Sequence, residues 1–578
     1  MPSINAHIQA FRRNFFDADR PLALIGSGSI GGKATGLAFI HDVLVSKFKS
    51  GDFPGFEINI PTFAVIGTDV FDAFLEQNTL TELAHSEAGD DVIALGFLHA
   101  PLPAEILGDL RGLIEKVHTP LAIRSSSLLE DALYQPFAGV YTTKMIPNNQ
   151  PSPDVRFHKL MEAIKLVYAS AFAKAAKDYI RGTGRSPYDE KMAVIIQEVV
   201  GLRHADRFYP NVSGVARSYN FYSMGRSKPN DGVASLALGL GKTIVDGGKC
   251  WTYSPAYPGI SPPFSSASEL LEQTQTEFWA VNMGKPPAYD PTKETEYLEL
   301  LGIGDAAADG TLDHIASVYD AQADRLTIGA MREGPKVLNF AGTLALKDSP
   351  LNDIIRSLLV VSQDALESAV EIEFAVTFNP HRLGFLQVRP MVVSSDRVEV
   401  TDDDMQKAGI LLASMSVLGN GATETIRDVV YIKPETFAAR HTPQIASELE
   451  VVNRKLLEEN RPYLLIGFGR WGSSDPWLGI PVQWGQVCGA RVIVEATRPG
   501  MDIELSQGAH FFHNLSSFQV CYFCVPYAGK YEINWRWLAG QKPESETNFI
   551  RHVALSAPLC VKVDGRSGRG VVSLPRTG

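Results

Sequence analysis

Residues 370–391 read VEIEFAVTFNPHRLGFLQVRPM, two β-prone runs around a short polar NPHR turn. Branched and aromatic residues on either side of a turn cluster specify a β-hairpin, and no other stretch of the chain signals its local fold so clearly. Residues two apart on a strand share a face, so Glu371 and Glu373 point the same way, and Gln387 and Arg389 do so on the partner strand. If the hairpin registers, a pair of carboxylates able to hold a hard cation such as Mg²⁺ lies beside a guanidinium able to clamp phosphate. The same spacing also suits a solvent-facing ladder of salt bridges.

Two further stretches carry chemistry. PLALIGSGSIGGKATGLAFIHDVL is a short apolar strand, a Gly/Ser loop and a helix with apolar residues at helical spacing. Gly31 and Gly32 let the backbone approach a polyphosphate, the helix start offers N–H groups, and Lys33 adds a positive charge. The loop lacks the glycine spacing and the following Ser/Thr of a Walker A motif, and a tight strand-to-helix turn would look the same. In LAIRSSSLLEDALYQPFAGVYTT, Arg124 ends an apolar strand and is followed by Ser125, Ser126 and Ser127. Its fork suits phosphate oxygens, or equally a surface pair with Glu130 or Asp131.

A chain of 578 residues is too long for one core. Its net charge of −12 and the absence of a Lys/Arg run argue against nucleic acid or an anionic membrane as partner. No run of about 18 apolar residues is present. The N-terminus MPSINAHIQAFRRNFF lacks a signal-peptide pattern, so a cytoplasmic protein is expected. Five cysteines do not make a disulfide framework in so long a chain. Cys521 and Cys524 lie in an alternating, strand-like run, and only the distant Cys488 and Cys560 could complete a zinc site with them.

Taken in order, these blocks reach a family. GGKATGL resembles the Gly-Gly-Lys-Gly-x-x-Leu loop of the phosphoenolpyruvate synthase and pyruvate phosphate dikinase ATP-binding domain. AIRSSSLLEDALYQPFAGVYTT is similar to its Val-Arg-Ser-Ser…Glu-Asp…Phe-Ala-Gly stretch, KMAVIIQEVV to its hinge strand, and VEIEF…LQVRP to its Asp-Ile-Glu…Leu-Gln-x-Arg-Pro ending. The resemblance spans roughly residues 20–395. It implies an α/β (α+β) ATP-grasp domain with lobes at 1–195 and 196–395, ATP as ligand and Mg²⁺ as its metal. By position, Gly31, Gly32, Lys33 and Arg124 would contact the polyphosphate, and Glu371 and Glu373 would bind Mg²⁺. Gln387 and Arg389 would hold the terminal phosphates during transfer, and Gln197 would lie near the adenine. Where the family has an acid after Gly-Leu-Gly, this chain has Lys242, a charge reversal at a nucleotide-contacting position.

Two parts of the full synthase are missing. None of the 13 histidines sits in a Thr-Ser-His-type run, and the residues after Val393 are too few for a barrel of about 250. Residues 396–460 read as a charged connector and 461–578 as a smaller α+β C-terminal domain. There, His510 stands with His513 beside Ser506 and Gln507, where it could accept a phosphoryl group, ligate a metal or simply pack. Gly467-Phe468-Gly469-Arg470-Trp471-Gly472 formally fits a dinucleotide fingerprint, with Glu495 downstream. The prolines that follow deny it the required helix, so a loop offering Arg470, Ser473, Ser474 and Asp475 to an anionic acceptor fits better. An ATP-dependent phosphotransferase with an unidentified acceptor is the leading expectation. The alternative is an ATP-binding sensor or subunit that acts with a separate histidine-bearing partner; oligomerisation stays open.

Overall fold

The computed structural model describes residues 9–12, 22–48, 52–127, 141–182, 186, 188, 190–220, 226–246, 248–260, 270–271, 274–320, 322, 325–346, 349–391, 398–473, 477–501, 515, 520–527 and 529–575. It is a mixed α/β structure. The apolar run MAVIIQE forms the strand Met192–Glu198, buried along nearly its whole length. A strand with no polar face must be covered on both sides, and this one lies inside a six-stranded sheet. The sheet runs Gln9–Ala10, Leu22–Ile25, Phe63–Ile66, Met192–Glu198, Leu121–Ser127, Thr143–Ile146. The first three strands are parallel and the rest antiparallel.

A second six-stranded sheet holds the hairpin. Its order is Trp251–Tyr253, Val233–Ala237, Val212–Arg217, Val370–Phe378, His381–Pro390, Glu57–Asn59. The helix Gly31–Lys47 leaves the first sheet but packs on the second. A Cβ at Gly36 would sit 3.3 Å from the Val388 carbonyl oxygen, so glycine allows this close approach. The two sheets therefore meet around the N-terminal end of this helix.

Two stretches differ from the sequence reading. Residues 156–181, rich in Ala, Lys, Leu and Tyr and so read from the sequence as one long helix, form two, Pro153–Ser170 and Lys174–Gly182. The break tightens into i→i+3 bonds at Ala171, Phe172 and Ala173. It drops the Phe172 ring into the core against Phe71, and Asp90 Oδ1 accepts the Lys174 N–H at the new helix start. The polar stretch His314–Gln322, which the sequence reads as a helical patch, holds the strand Ala316–Asp320 instead. Ala316, Ser317 and Val318 are all buried there between two partner strands, and Ser317 Oγ donates to Asn339 Oδ1 at 2.9 Å, so tertiary pairing decides the local structure. A second stretch that the sequence reads as helical, Glu269–Thr276, begins outside the described residues.

The C-terminal part is built on a seven-stranded sheet. Its central strands, Asp428–Ile432, Tyr463–Phe468, Ala490–Ala496 and Cys521–Val525, are parallel. The stretch that reads as a connector thus supplies a core strand and the crossover helix Thr442–Glu458. Apolar side chains of the first sheet and of this parallel sheet form one continuous cluster. Helix Lys174–Gly182 lies against the turn Trp484–Gln486, where a Cβ at Gly485 would be 3.2 Å from the Ala175 oxygen, and Lys174 pairs with Glu450. Among the described residues no single helix is long and apolar enough to cross a membrane.

Candidate functional site

The hairpin registers so that Glu371 faces Arg389 and Glu373 faces Gln387, which puts the predicted acids and cation in neighbouring cross-strand rows. On its other side Glu371 faces Arg217, a residue the sequence did not single out. Arg217 Nε donates to Glu371 Oε2 at 2.5 Å and Arg389 Nε donates to Glu371 Oε1 at 2.6 Å. A carboxylate only 1% exposed would otherwise carry a large desolvation cost, and the flanking guanidiniums offset it. Glu373 is different. Its side chain is 15% exposed and its contacts are longer, 3.3 Å to Arg389 and 3.5 Å to Arg124. Of the two acids, Glu373 is the more exposed and the less tightly paired.

Arg124 crosses from the first sheet to the second. One Nη donates to the Leu386 carbonyl at 3.0 Å and to Gln197 Oε1 at 3.3 Å; the other donates to Gln387 Oε1 at 2.8 Å. The acceptor at Leu386 has a structural origin. Glu373 pairs with Gln387 but Phe374 pairs with Phe385, so Leu386 is an extra residue, a β-bulge with no partner in the ladder. Gln197, buried behind Arg124, keeps its Nε2 donor without a partner among the described residues. An orphaned buried donor beside an arginine fits an acceptor brought by a ligand.

The glycine loop closes onto the same place. Gly31 starts its helix at φ +73°, and a Cβ there would lie 1.7 Å from the Ser126 carbonyl oxygen. Ser126 then fastens the helix start: its Oγ donates to the Ile30 carbonyl at 2.7 Å and accepts the Ala34 N–H at 3.1 Å. Lys33 Nζ donates to Ser125 Oγ at 3.3 Å. The serine run after Arg124 thus positions the loop. Glu130, Asp131 and the Phe-Ala-Gly turn at 137–139 lie outside the described residues, as do Ser474, Asp475, Ser506, Gln507, His510 and His513.

Lys242 opens the short helix Lys242–Val245 and is locally balanced, 3.1 Å from Asp246 and 3.4 Å from Glu294. Burial works against its charge, but these acids outweigh it and raise its pKa; burial in turn raises that of Glu294. The reversed charge therefore arrives with its own counter-ions. Among the described residues no zinc-type cysteine cluster is present, and none of the five cysteines is in a disulfide. The loop at Gly467–Gly472 leads from Tyr463–Phe468 into a two-residue strand, Arg470–Trp471, rather than a helix.

The helix start bearing Lys33, Arg124 spanning two sheets, and the cross-strand rows of Arg217, Glu371, Arg389 and Glu373 thus gather charged side chains where the two sheets meet. No curated protein matches the chain. The family model for the pyruvate phosphate dikinase AMP/ATP-binding domain matches residues 27–409, and so the chain belongs to that family and carries an AMP/ATP-binding domain.

Proposed function

We propose that the protein is a phosphotransferase that moves a phosphoryl group from Mg-ATP to an acceptor. The observation that carries this reading is Arg124, which ties the glycine-loop sheet to the bulge and to Gln387 on the hairpin. Phosphoryl transfer needs little covalent help from protein; positioning and neutralisation of charge do most of it. Lys33, Arg124 and Arg389 supply positive charge on one site, and Gln387 and Gln197 add neutral donors. Glu373 would hold Mg²⁺, which neutralises phosphate charge when bound. Glu371, given over to two arginines, would keep those arginines in place rather than bind metal itself. We place this work in the cytoplasm, in keeping with five cysteines that form no disulfide.

Incubating the protein with Mg²⁺ and ATP labelled at the β or γ position tests the reading. AMP with orthophosphate identifies dikinase-type chemistry, and ADP alone a simple kinase. Tight nucleotide binding without turnover, across a panel of acceptors, would overturn the enzyme reading in favour of an ATP-binding subunit.

A further inference from the structure

Helix Lys242–Val245 lies on the face of the second sheet that carries the charged rows. Val215 faces Glu373 and Arg217 faces Glu371, so these side chains and that of Ser213 share one side of the sheet. One row beyond Glu373, Ser213 Oγ donates to the Gly239 carbonyl at 2.6 Å, and a Cβ at Gly241 would lie 3.8 Å from the Ser213 Cβ. The helix follows at once and buries Ile244 with Val215 and Ala237. Ser213 and Glu373 are diagonal neighbours on two paired strands, about 7–8 Å apart, so the helix borders Glu373.

Lys242 is also held against the first sheet. Its Nζ stands 5.9 Å from the centre of the Trp279 ring and 3.4 Å from Glu294. Trp279 packs on the cluster of Phe208, Leu240, Val281 and Met283, and so does Met145 of the first sheet. Ala122 pairs with both Met145 and Gln197, so this row shares the face of Arg124, two positions along the strand. Glu294 lies in the segment 283–297, which Lys144 ties to the same sheet. Lys144 Nζ donates to the Pro291 and Lys293 carbonyls at 3.1 and 2.8 Å and pairs with Glu296 at 2.6 Å. Lys242 is thus fixed between the face bearing Arg124 and the face bearing Glu373. On the first of these faces the buried Gln197 donor has no partner among the described residues, a position that a ligand in the gap would fill.

The acids around Lys242 are placed to be exchanged. The lysine side chain is 20% exposed, against 36% for Asp246 and 40% for Glu294, so its counter-ions lie on the wetter side. Ion pairs that open to water contribute little, and a phosphate chain carries more charge than one carboxylate. We propose that Lys242 is a binding residue for the phosphate chain of the nucleotide, its ammonium passing from Glu294 to a phosphate oxygen, so that the site selects di- and triphosphates over AMP. This rests on the reading above that the phosphates lie among Lys33, Arg124 and Arg389. A lysine suits the task because its flexible stem carries a point charge that can change partners.

The test is calorimetric titration of the full-length protein, with Mg²⁺ present, using AMP, ADP and a non-hydrolysable ATP analogue as probes. Lys242→Ala should weaken ADP and the analogue roughly 10- to 100-fold and AMP by less than about threefold, and Lys242→Arg should keep most of the affinity. Glu294→Gln removes the competing charge and should tighten the analogue by about two- to fivefold. This second variant carries the test alone if urea unfolding shows Lys242→Ala to be misfolded. Equal losses for AMP and the analogue, unchanged affinity in Lys242→Ala, or weaker analogue binding in Glu294→Gln would each overturn the proposal. The expected selectivity without any turnover of ATP would sink the phosphotransferase reading and leave Lys242 in its role. A parent protein that binds none of the three probes overturns both.

Discussion

Replacing Arg389 with alanine is expected to lower phosphoryl transfer by about 10³-fold or more, the size of effect seen when a charge-neutralising arginine is removed from such sites. A second consequence follows from its surroundings. The side chain is 6% exposed and shares Glu371 with Arg217, so its loss leaves a carboxylate that is 1% exposed with one guanidinium in place of two. That shortfall should cost roughly 2 kcal/mol, below the range for a buried charge left wholly unpaired. Glu371→Gln added to Arg389→Ala removes the stranded charge. Unfolding in urea should show much of the stability restored in the double variant, while initial rates stay low. If transfer survives in the single variant, Arg389 does not hold the transferring group.

Among the described glycines, Gly31→Ala should be the most damaging addition of a single methyl group. At φ +73° the new Cβ would meet the Ser126 carbonyl oxygen at 1.7 Å and its carbon at 2.4 Å, and both belong to backbone inside a sheet. Left-handed strain contributes about 1 kcal/mol and forced separation of helix from strand the remainder, so a loss of about 4 kcal/mol or more is expected. The contacts from Ser125 and Ser126 to Lys33 and Ala34 would part together, and nucleotide affinity with them. Gly304→Ala makes the control. It lies in the helix Ile303–Ala308 with nothing within 4 Å of the place its new methyl group would take, and should be neutral or stabilising by up to about 1 kcal/mol. Equal unfolding midpoints for the two variants would refute this account of the loop.

Much of the first site was legible because it depends on short-range rules. Period-two alternation puts Glu371 with Glu373, and Gln387 with Arg389, before any sheet is known, and the hairpin turn is local. Arg217 was not legible: it sits at the end of VSGVAR, and only the pairing of two strands far apart in sequence brings it beside Glu371. The same holds for Arg124, whose partners at Leu386 and Gln387 lie more than 260 positions away. In the C-terminal half the apparent connector gave no sign of being a core strand, since Asp428–Ile432 is short and both its neighbours, Tyr463–Phe468 and Ile550–Ala554, lie well further along the chain. The Glu495 carboxyl could be placed at a strand end from sequence, but its burial beside Tyr522 and Cys524 comes from the neighbouring strand, which is a tertiary fact.

The extra residue at Leu386 bears on how such a site tolerates changes in chain length. Deleting Leu386 would leave every cross-strand partner where it is: Glu373 would still face Gln387, Phe374 would still face Phe385, and the ladder would become regular. A single inserted residue can thus vanish from the middle of a β-strand without a register slip. What would go is the one carbonyl released from the ladder, and with it a hydrogen bond that Arg124 makes across the two sheets. An alignment that treats this position as a harmless gap would preserve all the charged residues and still describe a protein with a loosened clamp.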